Sequence, residues 1–304
     1  MLSRTVVLRV ANWAPMKEFI THSRVSRRVV NRFVAGDTIE DATTAARGLN
    51  KAGFCISLDF LGENSTTQEE ALTATQTYCS MLDTINTNHV NSDISIKLTQ
   101  IGIDFGDSFC KENLIRILET AASYNNAVEV DMESSKYTHR TLKLFADVYQ
   151  TNKNMGTVIQ TYLHRSEEDV DMLISLGAKV RLVKGAYLES PEIAYQKMAK
   201  VNEQFDKLTE KLLLSDTHPA IATHDPNRIA FARKVVEKNQ IPKEKLEFQM
   251  LYGIRRDLQK EVLADGYTTR IYLPYGTAWY PYFSRRLAER PSNLLFIIKN
   301  FFKK

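Results

Sequence analysis

Near its C-terminal end the chain carries Tyr282, Arg285, Arg286 and Glu289, spaced i, i+3, i+4 and i+7. In a helix that spacing puts all four on one face. Two adjacent guanidiniums grip a carboxylate through paired, charge-assisted hydrogen bonds, so the face can act as a receptor for a small anion. The plainer alternative is a solvated helix with an Arg285–Glu289 ion pair, worth only about 0.3–0.5 kcal/mol. Trp279, Phe283 and Leu287 make a second, apolar stripe that would hold the helix down. The stretch leading in, 270–273, reads as a short strand that breaks at Pro274 and Gly276. Thr277 then stands where it could cap the helix, and Pro281 falls in the first turn, where N–H groups have no intrahelical acceptor.

A frame must position that helix, and the chain between Gly53 and Gly276 supplies a repeating one. Short apolar runs rich in β-branched residues predict strands over 54–59, 94–98, 128–131, 158–163, 180–183, 220–223, 246–251 and 270–273. Between them helices are expected over 67–86, 107–124, 136–151, 166–175, 193–214, 227–239 and 254–265. Strand and helix alternating eight times in one domain-sized chain predict a closed parallel (β/α)8 barrel, with the last helix over its mouth; a doubly wound open sheet is the alternative. The residues before it, 1–52, read as leading helices with a basic patch at Arg24, Arg27, Arg28 and Arg32, a break at Gly36 and a capping start at Asp37-Thr38. Segments 1–52 and 53–304 are expected to form one domain overall.

Polar residues sit late in the apolar runs. Lys97, Asp131, Gln160, Arg181, Lys184, Thr223, His224 and Gln249 all lie at or just past the carboxyl half of their strands. In a barrel those ends open on one face, the face where catalysis occurs. Any one of them could be a strand end satisfied by a loop. Burying so many costs about 1–3 kcal/mol each unless something meets them.

Composition excludes several classes. The 304 residues carry 43% hydrophobic side chains, enough for a sizeable core, and a formal charge of +4 spread among nearly as many acids. That balance, with no aromatic–basic repeat, argues against nucleic acid binding. The six histidines show no metal-ligand spacing, so no metal is expected. Cys55, Cys79 and Cys110 are odd in number and far apart, which suggests reduced thiols. With no signal-like leader and no run of roughly 18 apolar residues, a cytoplasmic protein is expected. No Gly-x-Gly-x-x-Gly follows a strand, so an ordinary dinucleotide site is not visible.

Three segments together resemble one family. Arg181-Leu-Val-Lys-Gly-Ala-Tyr187, Ile221-Ala-Thr-His-Asp225, and Tyr272-Leu-Pro-Tyr-Gly276 with Tyr282-Phe-Ser-Arg-Arg-Leu-Ala-Glu-Arg290 look like the signatures of proline dehydrogenase of the monofunctional bacterial type. Ile94-Ser-Ile-Lys-Leu98, Val130-Asp-Met-Glu133, Val158-Ile-Gln160 and Phe248-Gln-Met-Leu-Tyr-Gly253 extend the likeness over nearly the whole chain from Gly53. The resemblance implies FAD on a distorted (β/α)8 barrel, with L-proline oxidised to 1-pyrroline-5-carboxylate and electrons passed to a quinone. It implies that Arg285 and Arg286 hold the proline carboxylate beside Lys97, and that Asp131 and Arg181 are catalytic. Tyr272, Leu251, Tyr282 and Glu289 would wall the substrate pocket. Met132, Gln160, Arg181, Lys184, Gly185, Ala186, Thr223, His224 and Gln249 would hold the flavin. Thr277 and Ala278 depart from the family, which often has an acidic pair after Pro-Tyr-Gly.

Residue chemistry is compatible with this. Hydride leaves the carbon beside the ring nitrogen as an iminium develops, so an uncharged amine and a fixed ring are needed; carboxylate clamping by the arginines, with Tyr272 and Leu251 packing the ring, would supply orientation. A cation such as Arg181 near the flavin favours its anionic reduced form. Lys184 also admits a Schiff-base aldolase reading. The apolar, basic-ended tail 293–304 is expected to pack on the barrel, the alternative being peripheral membrane contact near a quinone.

Overall fold

A computed structural model describes residues 29–62 and 64–289, together with Trp13, Glu18 and Arg27, although the side chains of residues 287–289 are not described. The expected basic patch at Arg24 and Arg28, the tail 293–304 and the Glu289 side chain, with its ion pair and pocket role, therefore lie outside the described residues.

The chain alternates as expected. In order come α1 (Ile39–Lys51), β1 (Cys55–Phe60), α2 (Gln68–Thr87), β2 (Ser92–Ile96), α3 (Asp107–Ser123), β3 (Val128–Val130), α4 (Ser135–Tyr149), β4 (Met155–Gln160), α5 (Ser166–Ser175), β5 (Lys179–Val183), α6 (Met198–Leu213), β6 (Ala220–Ala222), α7 (Pro226–Lys238), β7 (Glu247–Leu251), α8 (Arg256–Ala264), β8 (Thr268–Tyr275) and α9 (Tyr280–Glu289). Each strand pairs in parallel with the next, and β8 closes on β1 in a six-residue register from Cys55 opposite Arg270 to Phe60 opposite Tyr275. The closed barrel removes the edges that the open-sheet alternative would have left.

Local sequence explains the helix starts. Thr38 and Asp41 exchange bonds at the head of α1, each accepting from the other's N–H at 3.2 Å, and Asp225 caps α7 just ahead of Pro226. Apolar positions recur at helical spacing: Leu142, Phe145 and Tyr149 of α4 are buried against the strands. Phe145 and Phe248 are wholly buried, each contributing about 2–3 kcal/mol of apolar transfer.

Two expectations about the C-terminal stretch are corrected. β8 does not stop at Pro274 but runs through it to Tyr275. Proline near a strand end forfeits one donor, while its carbonyl is met by the Ala35 N–H at 2.8 Å. Thr277 does not cap the last helix, because α9 begins at Tyr280 and Trp279 supplies the first acceptor, to the Phe283 N–H at 2.9 Å. Trp279 and Phe283 are buried against each other, and Phe33 packs on Phe283 at 6.2 Å between ring centroids. The segment ahead of α1 thus braces α9 and the end of β8. A third correction concerns 193–197, expected at the head of a helix: Ala194 instead bridges Leu163, and α6 starts only at Met198.

Candidate active site

Asp131, one residue past β3, organises the open end of the barrel. Its Oδ1 accepts from Arg181 Nη1 at 2.7 Å, and its Oδ2 accepts from the Tyr272 hydroxyl at 2.6 Å and from Lys97 Nζ at 3.3 Å. Lys97, one residue past β2, also donates to Asp59 Oδ1 at 2.6 Å. Arg181 turns Nη2 onto Ser95 Oγ at 3.0 Å and Ser57 Oγ at 3.3 Å, and its guanidinium lies 5.3 Å from the Tyr272 ring centroid. Five strands, β1, β2, β3, β5 and β8, therefore meet in one hydrogen-bonded cluster.

Its charges are settled by one another. Burial works against the Lys97 cation, but Asp59, Tyr272 and Asp131 hold its pKa well above the ordinary lysine value. Burial raises the Asp59 carboxyl, with Lys97 pulling it back. Burial and then the Asp131 and Asp59 charges lift the Tyr272 phenol well above its usual range, so it keeps its proton and donates. Arg181 is raised as well: burial opposes its charge, and Glu129 and Asp131 outweigh burial.

The remaining expected residues form three neighbouring sets. Gln160 donates through Nε2 to the Glu133 carbonyl at 2.8 Å and accepts from the Ala186 N–H at 3.3 Å, beside buried Met132. Lys184 Nζ is paired with Asp225 Oδ2 at 2.7 Å, and Thr223 Oγ1 accepts from the Asp225 N–H at 3.1 Å. His224 Nε2 accepts from the Leu251 N–H at 2.9 Å. Gly185 has φ +118°, and a Cβ there would come within 2.3 Å of the Tyr162 ring. Arg181 and Gln249, expected at or just past the carboxyl half of their strands, stand at the strand centres. Each is the third residue of a five-residue strand and lies a layer deeper.

On α9, Arg286 is buried with its guanidinium 5.2 Å from the buried Tyr282 ring, and Arg285 is half-buried. Burial and then Glu133 raise the Tyr187 phenol, while the Arg285 and Lys97 charges pull against that rise. Tyr187 thus lies within electrostatic reach of Arg285 on α9 and of Lys97 and Asp131 in the cluster. Arg286 makes no described contact with Lys97 or Asp131.

Sequence comparison identifies the family. The proline dehydrogenase family profile covers residues 42–299. The chain belongs to the proline dehydrogenase family. It is 42% identical over 279 residues to proline dehydrogenase 1 of Bacillus subtilis (strain 168), with 92% of each chain covered. It is 36% identical over 307 residues to the proline dehydrogenase of Deinococcus radiodurans, covering 99% of this chain and 98% of that one. Among solved structures, proline utilization A from Bdellovibrio bacteriovorus superposes with a TM-score of 0.83 at 24% identity, over 94% of this chain and 35% of that longer protein. That likeness bears on the fold, and it is the same barrel.

Several residues at this end of the barrel were not singled out from sequence. Asp59 closes the strand expected over 54–59 as Asp131 closes the one expected over 128–131, and that signal could have found it. Ser57 and Ser95 look like ordinary small strand residues and show their part only through Arg181. Glu133, Asp225 and Tyr187 lay inside recognised motifs without an assigned role. Among the described residues no group of three or more His, Cys, Asp or Glu is placed to hold a metal ion, and no helix is long and apolar enough to cross a membrane.

Proposed function

We propose that this chain oxidises L-proline to 1-pyrroline-5-carboxylate with bound FAD, the first step of proline degradation, and passes the electrons to a quinone. The observation that carries this reading is the Asp131 cluster, in which Lys97, Arg181 and Tyr272 converge on one carboxylate at the open end of a family barrel.

The residues present suit a flavin. Two atoms in the deeper layer, Arg181 Nε and Gln249 Oε1, are buried with no hydrogen-bond partner among the described residues. One is a donor and the other an acceptor, the pair that the carbonyl and N–H edge of an isoalloxazine requires. Met132, Gln160, Arg181, Lys184, Gly185, Ala186, Thr223, His224 and Gln249 would hold the cofactor, with the Lys184 cation and the bare Gly185 backbone suited to pyrophosphate. A flavin held there would supply the hydride acceptor for proline oxidation.

The rest is done by the chain. Arg285 and Arg286 grip the substrate carboxylate, and Tyr272, Tyr282, Leu251 and Glu289 line the ring's pocket. Lys97 keeps its proton because Asp59 and Asp131 stabilise it, so it acts as a fixed positive charge. Those cations together disfavour a protonated ring nitrogen, so proline binds as the free amine, its ammonium proton released to solvent. Asp131 holds Arg181, Lys97 and the Tyr272 hydroxyl in one geometry, and Arg181 favours negative charge on the reduced ring.

The aldolase reading requires a free amine at Lys184, whereas its Nζ is tied to Asp225 at 2.7 Å. The purified chain is expected to be yellow, to bleach anaerobically on addition of proline, and to leave no adduct on Lys184 under borohydride. A colourless protein, or one whose spectrum proline does not change, would refute the dehydrogenase reading. Quinone access through peripheral membrane contact, by a cytoplasmic enzyme, is tested by liposome flotation with and without residues 301–304.

A further inference from the structure

Beneath the Asp131 cluster the barrel holds a second charged layer that the proposed chemistry does not use. Glu129, in the middle of β3 and 2% exposed, points to the same inward face as Asp131 two residues on. Its Oε2 lies 3.9 Å from Arg181 Nη2 and 3.8 Å from Lys179 Nζ, and its Oε1 is buried with no hydrogen-bond partner among the described residues. Gly156 faces it from β4, where a Cβ would stand 2.8 Å from Glu129 Oε1. The other charges facing it are Asp93 on β2 and Glu247 on β7, both already paired with Arg270 on β8, at 3.0 and 2.7 Å. Lys179 is shared, standing 3.7 Å from Glu247.

Glu129 therefore has two cations within reach and a hydrogen bond to neither, an arrangement that locks neither of its protonation states. Burial pushes its carboxyl up, Arg181 and Lys179 pull it back, and the balance stands at about 7.

We propose that Glu129 is a positioning residue that backs the Arg181 guanidinium, and that gain or loss of its proton sets how much of Arg181's positive charge reaches the flavin ring. With Glu129 neutral, Arg181 is opposed by Asp131 alone and its field on the ring is strong. With Glu129 ionised, two carboxylates share one guanidinium and that field weakens. Electron acceptance thus falls with rising pH through a group that touches neither substrate nor cofactor. This inference rests on the flavoprotein reading above.

The test uses sulfite, a nucleophile that adds reversibly to the flavin ring and binds more tightly as positive charge around the ring grows. Its affinity is measured on the holoprotein from about pH 6 to about pH 8.5 in wild type, Glu129→Gln and Lys179→Gln. Wild type and Glu129→Gln are expected to agree near pH 6, with the variant several-fold tighter near pH 8.5. Lys179→Gln removes a cation that favours the ionised carboxyl, so its departure from Glu129→Gln moves to higher pH. A wild-type to Glu129→Gln ratio that stays constant with pH overturns the proposal.

Urea unfolding of the apoprotein supplies a readout without flavin. A carboxyl whose folded pKa is raised contributes stability that is present at low pH and lost as pH rises through the folded value. Wild type is therefore expected to lose ground to Glu129→Gln between about pH 5 and about pH 8. If the apoprotein shows that divergence and sulfite affinity does not, the coupling to the flavin is wrong. If the apoprotein diverges but the purified chain holds no flavin, the flavoprotein reading fails and the coupling fails with it.

Discussion

Replacing Lys97 by methionine tests whether the Asp59–Lys97–Asp131 arrangement is a true buried charge network. Asp59 is 1% exposed and its short bond is to Lys97 Nζ at 2.6 Å. Deleting the cation strands a buried carboxylate, and breaking such a pair from one side costs about 3–5 kcal/mol. With an unfolding entropy of about 2.1 cal/mol/K per residue over 304 residues, that corresponds to a loss of about 5–8 °C in Tm. The cost is expected to depend on pH. Burial already raises the Asp59 pKa and Lys97 pulls it back, so removing Lys97 raises it further. A group with a raised folded pKa contributes stability at low pH that is lost as pH rises through that pKa. The gap between wild type and Lys97→Met should therefore be small near pH 4, close to the ordinary aspartate value of about 3.9, and widen toward pH 8. Urea unfolding at matched flavin occupancy measures it. Adding Asp59→Asn should restore much of the loss at pH 8, because a neutral amide needs no cation. A penalty that is flat between pH 4 and pH 8, or one that Asp59→Asn leaves untouched, would refute the reasoning.

Three further outcomes follow from the same geometry. Tyr272→Phe removes the 2.6 Å bond to the Asp131 carboxylate, and since hydrogen bonds to charged groups are worth about 1.5–3 kcal/mol, proline kcat/KM should fall at least about tenfold in steady-state assays, without loss of FAD. Arg286→Lys exchanges a planar fork for a point charge; the KM for proline should rise about ten- to a hundredfold while the binding of ring analogues that lack the carboxylate barely changes. Gly185→Ala puts a Cβ at φ +118° within 2.3 Å of Tyr162, so FAD affinity measured by fluorescence titration should weaken by at least about tenfold, with proline still bleaching whatever flavin remains.

The amino-acid sequence by itself determined the barrel and the chemical identity of its open end. β-Branched runs alternating with amphipathic helices leave few ways to bury both, and polar residues at or just past several strand ends, such as Lys97, Asp131 and Gln160, must share a face once the sheet closes. Periodicity and turn chemistry act over a few residues, which is why helix bodies such as 166–175 read correctly from sequence. Strand ends, and the start of α9, depended on partners far along the chain: Pro274 stays in its strand because Ala35 meets its carbonyl, and Ala194 leaves the helical path to pair with Leu163.

What only the tertiary structure decided is which charges touch. Lys97, Asp131, Arg181 and Tyr272 are separated by up to 175 residues, yet they share one carboxylate. Asp59 and Glu129 look alike in sequence, each an acid in an apolar strand. One is bonded to an ammonium at 2.6 Å, while the other rests 3.8 Å or more from two cations. Such distances are set by barrel closure and register. An acid's chemistry depends on them because burial and the nearest opposite charge act together on its proton.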